Sequence, residues 1–322
     1  IDPNLSWHFG FGAAAVGMGL GLAMFIRKGH ALEQISPEPC KLESEKKIFL
    51  FKVLLPFALF MGPLVYFVST NFNLSAKQIG DYFGILLLII TSIFFITIFL
   101  YKEWSDEEKH ALSLIAALFA IASIFWSLYE QAGSTLTIFA ERATDNAFFG
   151  VSFPSSWFQS LNPVYIIILA PLFAWIWPQV PSSFSNLMKF AIGLFFMAVG
   201  WILMLFAAIS AESGNLVSPL WLIAVYFSHA IGEMCISPVG LSAISKLAPT
   251  RIVGLTMGIW FLASSIGSYL GGRVVGLYET AGITVISGTM AMTAILSSIT
   301  VGLFLSRVLR TVKRDKQKYS IK

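Results

Sequence analysis

Two carboxylates lie at positions where a carboxylate is expensive. Glu233 sits near the middle of the apolar run Pro219–Leu247, and Glu130 sits inside a second apolar run, 110–139. An ionisable side chain at the centre of a membrane-spanning helix costs about 2.5–3.5 kcal/mol on insertion scales. Such groups persist where they face a wet cavity and hold a charged ligand or exchange protons. Two of them point to a carrier. Ser123, Ser127, Glu130 and Ser134 recur at i, i+4, i+7 and i+11, and Tyr226, His229, Glu233 and Ser237 at i, i+3, i+7 and i+11. That spacing puts each set on one face of a helix. The serines fit either interhelical hydrogen bonding or the lining of a polar path. The glutamates fit a functional role better, because a carboxylate is costly glue. His229, one turn before Glu233, could share a proton with it or pack as a neutral residue. Trp260 and Ser264 share a face at i, i+4, and Trp260 suits either a headgroup anchor or a pocket wall. Trp126, one turn before Glu130, has the same two settings.

No third ligand is spaced to join Glu233 and His229 around a metal. The chain has no H-E-x-x-H and no Ser/His pairing with suitable glycines. No metal, cofactor or enzymatic chemistry is therefore expected.

The elements that must hold these residues are membrane helices. Of 322 residues, 57% are hydrophobic and only 12% are charged. Mean hydropathy is +0.78, and a soluble domain of this length would carry about twice the charge. The net charge of +4 is spread over loops and a tail, so no nucleic-acid patch is implied. Cys40, in a polar loop, and Cys235, in a span, read as free thiols.

About 20 apolar residues cross a bilayer as a helix. On that measure the chain has nine spans: 7–26, 48–68, 81–101, 110–139, 156–177, 187–209, 218–247, 252–275 and 283–308. Short alternating segments of the β-barrel kind do not occur. The predicted fold class is all-α, a polytopic membrane helix bundle. The polar stretch 27–47 reads as a cytoplasmic loop. Asn162-Pro163 and Pro238 are expected to bend their spans. Gly267-x-x-x-Gly271 should let two helices approach closely.

Threading the spans with Ile1 outside puts every Lys and Arg except Lys77, Arg142 and Arg273 on the inner side. The positive-inside rule then fixes a multi-pass protein of the cell (inner) membrane with a cytoplasmic carboxyl terminus. The chain opens at Ile1 with neither methionine nor a basic-then-apolar leader. Together with an outside start, this suggests a piece of a longer protein.

Four stretches resemble a known family. FWSLYEQAGSTLTIFA, residues 125–140, is similar to the seventh transmembrane helix of the proton-dependent oligopeptide transporters. FQSLNP, 158–163, matches their eighth; GEMCISPVGLSAISKLAPTR, 232–251, resembles the tenth and its following loop; GIWFLASSIGSYLGG, 258–272, resembles the eleventh. The resemblance implies the major facilitator fold of two six-helix bundles, with the two extra helices of bacterial members. On that basis 1–27 is the last helix of the amino-terminal bundle, 28–47 the cytoplasmic linker, 48–109 the inserted pair, and 110–322 the carboxyl-terminal bundle with a basic tail. The first five helices, which carry the family's E-x-x-E-R stretch and a lysine on the fourth, would be missing.

The resemblance further implies inward symport of di- and tripeptides with protons by alternating access. Glu233 would face the peptide's amino terminus, and Asn162 would hydrogen-bond the peptide. Trp260 and Ser264 would line the pocket, and Glu130 would pair with the absent lysine in coupling and gating. His229 stands where some relatives have an aromatic, a difference bearing on side-chain selectivity. The implied partners are peptides, protons, the lipid bilayer and the missing bundle. Two other readings fit the same residues: a proton-coupled carrier of another small organic or anionic solute, and a membrane partner that transports nothing.

Overall fold

The computed structural model describes the backbone of residues 3–33, 63, 67, 75–101, 103–148, 151–180 and 186–319. Cys40, the expected linker beyond residue 33 and, except for residues 63 and 67, the expected span 48–68 lie outside the described residues. The chain divides into two units, 1–75 and 76–322. The first holds α1 (Pro3–Glu33), which runs six residues past the expected boundary at 27. Arg-Lys-Gly-His-Ala-Leu-Glu contains no proline to stop it there.

The second unit is a helix bundle. Its elements are α2 (Ala76–Leu100), α3 (Asp106–Tyr129), α4 (Thr135–Ala143), α5 (Leu161–Gln179), α6 (Asn186–Ala211), α7 (Leu220–Leu247), α8 (Val253–Val275) and α9 (Tyr278–Tyr319). A two-stranded antiparallel ribbon, β1 (Ala147–Phe148) and β2 (Val151–Ser152), joins α4 to the turn before α5. The described residues contain eight helical stretches long and apolar enough to cross a bilayer. They match the expected spans other than 48–68. Gly282, at φ 75°, separates the first turn of α9 from its span.

Three helix pairs carry most of the packing: α9 on α6, α6 on α7, and α8 on α3. Small residues permit these approaches. A Cβ on Gly193 would come within 2.9 Å of the Gly232 carbonyl, and one on Gly232 equally near that of Gly193. Gly267 and Gly271 do the same between α8 and α3: each Cβ would stand 2.9 Å from a backbone oxygen, of Ser123 or Ser127. Side chains also bond to the neighbouring helix's backbone. Ser228 donates to the Phe196 carbonyl at 2.6 Å, Tyr165 to Ile223 at 3.2 Å and Ser298 to Ala191 at 2.9 Å. These bonds join α7 to α6, α5 to α7 and α9 to α6. Lipid offers no competing partners, so small residues and such hydrogen bonds do much of the work that hydrophobic burial does in water. Trp201, Phe125, Phe139 and Phe190 fill the interior, while Phe83, Ile167, Phe195, Phe261 and Met292 point outward.

The start of α3 is written in its sequence. Ser105 caps it, accepting from the Glu108 N–H at 3.2 Å while Glu108 accepts from the Ser105 N–H at 2.9 Å. Asp106, Glu107 and Glu108 lie at the positive end of the helix dipole.

The span 110–139 is present, but the expectation that Ser123, Ser127, Glu130 and Ser134 share one face of an unbroken helix is corrected. α3 stops at Tyr129, a 3-10 turn spans Glu130–Gly133, and α4 starts after Ser134, whose φ/ψ of −131°/−88° is not helical. Tertiary hydrogen bonds stabilise the break. Gln131 Nε2 donates to the Ser127 carbonyl at 3.2 Å and to Gly271 at 2.8 Å, and its Oε1 accepts from Thr135 at 2.6 Å. The Ala132 carbonyl accepts from Tyr226 at 3.0 Å and Thr137 at 2.9 Å.

The expected bend at Asn162-Pro163 is corrected too. A 3-10 turn, Ser155–Ser160, runs into α5, and Pro163 falls in the first turn of α5. There its missing N–H is one of the donors a helix start leaves unbonded anyway.

Candidate functional site

The break after α3 aims Tyr129 and Glu130 at α7. Tyr129 is the last residue of α3, its ring stacked on Phe125 at 5.6 Å and set edge-on to Trp126 at 5.2 Å. Its hydroxyl donates to Glu233 Oε2 on α7. Asn162, in the first turn of α5, donates through Nδ2 to the same oxygen at 3.4 Å. Glu130 opens the 3-10 turn, is exposed, and lies within charge–charge range of Glu233 and beside the Ser268 hydroxyl of α8. Four helices and one turn thus converge on a pair of carboxylates.

The two oxygens of Glu233 differ. Oε2 accepts twice, whereas Oε1 accepts from no described residue and keeps accessible surface. Asn162 Oδ1 is buried and unpartnered. An accessible carboxylate oxygen is an acceptor suited to an ammonium group.

Of the residues singled out in the sequence, Glu233, Asn162 and Glu130 come together. Ser264 is half-buried on α8, and its carbonyl accepts from Ser268 at 3.0 Å, so it continues the face that reaches Glu130. His229 does not join them. Its ring is 2% exposed, fits the notch at Gly200 of α6, lies 5.8 Å from the Trp201 ring, and neither nitrogen has a hydrogen-bond partner. Of the two settings left open for His229, the structure has the packed one: the small angular offset from Glu233 turns His229 into the α6–α7 seam. Trp260 is likewise elsewhere. It is 4% exposed, occupies the space beside Gly240, and meets Phe190 edge-on at 6.3 Å. It is packed against two helices, α6 and α7. Trp126 is half-buried, packed at Gly267 and against Phe125 and Tyr129, and it braces the site from behind. Cys235 is a buried free thiol. An apolar cavity between α3 and α9, lined by Ile121, Ile124, Leu296 and Thr300, contains none of these residues.

Tyr129 was not singled out, although it lies within the quoted stretch. Its one signal is that a phenol at lipid depth needs a hydrogen-bond partner. No cluster of three His, Cys, Asp or Glu suited to a metal occurs among the described residues.

A bundle of long apolar helices with paired carboxylates where its helices meet defines a multi-pass membrane protein of carrier type. The POT family model matches residues 1–293, and the chain belongs to that family. The family is one of transporters, not enzymes, and its members here place the chain in the inner membrane. The chain is 36% identical over 224 residues to the uncharacterized transporter YclF of Bacillus subtilis (strain 168), covering 69% of this chain and 45% of YclF. It is 37% identical over 190 residues to the peptide transporter YePEPT of Yersinia enterocolitica, covering 58% of this chain and 37% of that one. A crystal structure of a peptide transporter POT in complex with sulfate superposes with a TM-score of 0.76 at 31% identity, over 94% of this chain and 62% of that one. The fold is thus that of POT structures, and the chain spans less than two thirds of these relatives' lengths.

Proposed function

We infer that this chain provides the carboxyl-terminal part of a proton-coupled importer of di- and tripeptides that works by alternating access. The observation that carries the reading is Glu233, held by Tyr129 and Asn162 with its second oxygen open, next to a second carboxylate, Glu130. A free peptide is a zwitterion, so its site needs opposite charges at separated ends. Glu233 meets the ammonium end, and Asn162 adds a hydrogen bond. Ser264 and Ser268 continue the polar wall. The basic end is assigned to the amino-terminal bundle that longer relatives carry, and Glu130 pairs with a cation there. A carboxylate that passes between wet and dry surroundings, or between paired and unpaired states, takes up and releases protons as the bundles rock. The carboxyl terminus faces the cytoplasm, following the basic residues.

The test is dialanine uptake by the complete transporter, this chain with its amino-terminal helices, in liposomes bearing an inward proton gradient. Glu233→Gln should weaken dialanine binding by about tenfold or more, the worth of a hydrogen bond to a charged group. Glu130→Gln should abolish gradient-driven accumulation while leaving exchange of peptide for peptide. Accumulation by both variants at the parent level would refute the assigned roles. Uptake of an unrelated anion in preference to dialanine would favour a carrier of another solute.

A further inference from the structure

The asymmetry at Glu233 needs an agent, and Tyr129 supplies it. Oε2 is tied by the Tyr129 hydroxyl and Asn162 Nδ2, and Oε1 is left open. The Asn162 contact, at 3.4 Å, is a loose tether on its own. Tyr129 is better placed to orient the group. It ends α3 immediately before the 3-10 turn, and its ring is clamped by Phe125 and Trp126 at 5.6 and 5.2 Å. A phenol donates one hydrogen bond and brings no charge of its own at neutral pH. It therefore holds a carboxylate without competing for a cation.

We propose that Tyr129 is the positioning residue of the ammonium site: it anchors Glu233 by Oε2 so that Oε1 faces the primary ammonium of the ligand. The proposal rests on the reading of Glu233 as an ammonium acceptor given above, and it adds a specificity consequence. Only ligands with a free amino terminus depend on Tyr129. The other groups facing this carboxylate are Asn162 of α5 and Glu130 of the turn, and neither clamps it through a ring held on two sides.

The variant is Tyr129→Phe, which keeps the ring and its packing and removes only the hydroxyl. In the complete transporter, dialanine affinity should fall about tenfold, as expected for a hydrogen bond to a charged group. Affinity for N-acetyl-dialanine should stay within about twofold of the parent, since that ligand offers no charged partner to Oε1. A second readout needs no ligand. The infrared carboxyl absorption of Glu233, identified as the band lost in Glu233→Gln, should shift in Tyr129→Phe. Unchanged dialanine affinity overturns the proposal, as does an equal loss for the acetylated peptide. An unshifted Glu233 band overturns it independently. If the parent binds neither peptide, the peptide reading fails, while the band alone still decides whether Tyr129 holds Glu233.

Discussion

His229 and Glu233 are separated by one turn of α7, about 40° around the helix axis. In a solvated helix that step is negligible. In a helix packed on several sides it selects different neighbours. Glu233 meets Tyr129 and Asn162, while His229 meets Gly200 and Trp201 with both ring nitrogens unpartnered. Each buried, unpaired polar atom costs about 1–3 kcal/mol. His229→Leu removes two such atoms at similar volume, so it should raise the melting temperature of the purified protein. Dialanine uptake and its pH dependence should be those of the parent. A collapse of proton-driven uptake in a variant that melts normally would return His229 to the proton path. The sequence made both residues conspicuous as polar groups at lipid depth, and the spacing correctly joined Tyr226 and Glu233 to the side facing the α3 break. Spacing alone could not separate His229, because its notch is created by a glycine on another helix. Tyr129 was illegible for a similar reason: its role comes from where a helix stops.

The helices were legible from apolar length, and every expected span among the described residues is present. The break at Glu130–Gly133 was not, since no proline marks it and its hydrogen bonds come from Gln131, Gly271 and Tyr226, the last two on other helices. The placement of α2 was also hidden. It packs along α8, fastened near both ends of that helix. At one end Arg273 pairs with Asp81 at 2.5 Å and lies over the Tyr269 ring. Toward the other, Arg251 reaches Glu108 at 3.2 Å and the Glu103 carbonyl at 3.3 Å, and stacks on Trp104 at 3.9 Å. Tyr101 donates to Glu103, and its ring lies beneath the Arg251 guanidinium. Between these ends Tyr269 fills the space a Cβ on Gly84 would need. Magnitudes rank these contacts. A half-exposed ion pair contributes about 0–1 kcal/mol, whereas forcing volume into a packed contact costs about 1–3 kcal/mol. Gly84→Ala should therefore lower the melting temperature more than Arg273→Ala does, measured in one detergent. The reverse order would mean that the ion pair, not the ring in its notch, holds α2 to α8.

At the scale of the whole molecule, the contacts agree with the charge pattern. Residues that threading places outside meet one another, as Arg273 does Asp81, and residues placed inside meet one another, as Arg251 does Glu108. The same threading leaves Glu233 and Glu130 with acidic partners and polar neutral ones but no basic group: neither forms an ion pair among the described residues. On the function proposed above, two carboxylates within reach of each other and without a cation would make half of a zwitterion site. The match also covers 45% of YclF and 62% of the superposed POT structure, so part of each of those proteins lies outside it. On the proposed reading, the lack of a cation at this site among the described residues gives the prediction that the 322-residue chain does not move peptide by itself. Reconstituted alone in liposomes with an inward proton gradient, it should give dialanine accumulation at the level of protein-free vesicles, and co-reconstitution with the amino-terminal bundle should restore it. Accumulation by the chain alone would mean that a second copy, or residues outside those described, supplies the missing cationic wall. Chemical cross-linking in the same vesicles would then decide between them: a cross-linked dimer would point to the second copy, and its absence to a wall built within one chain.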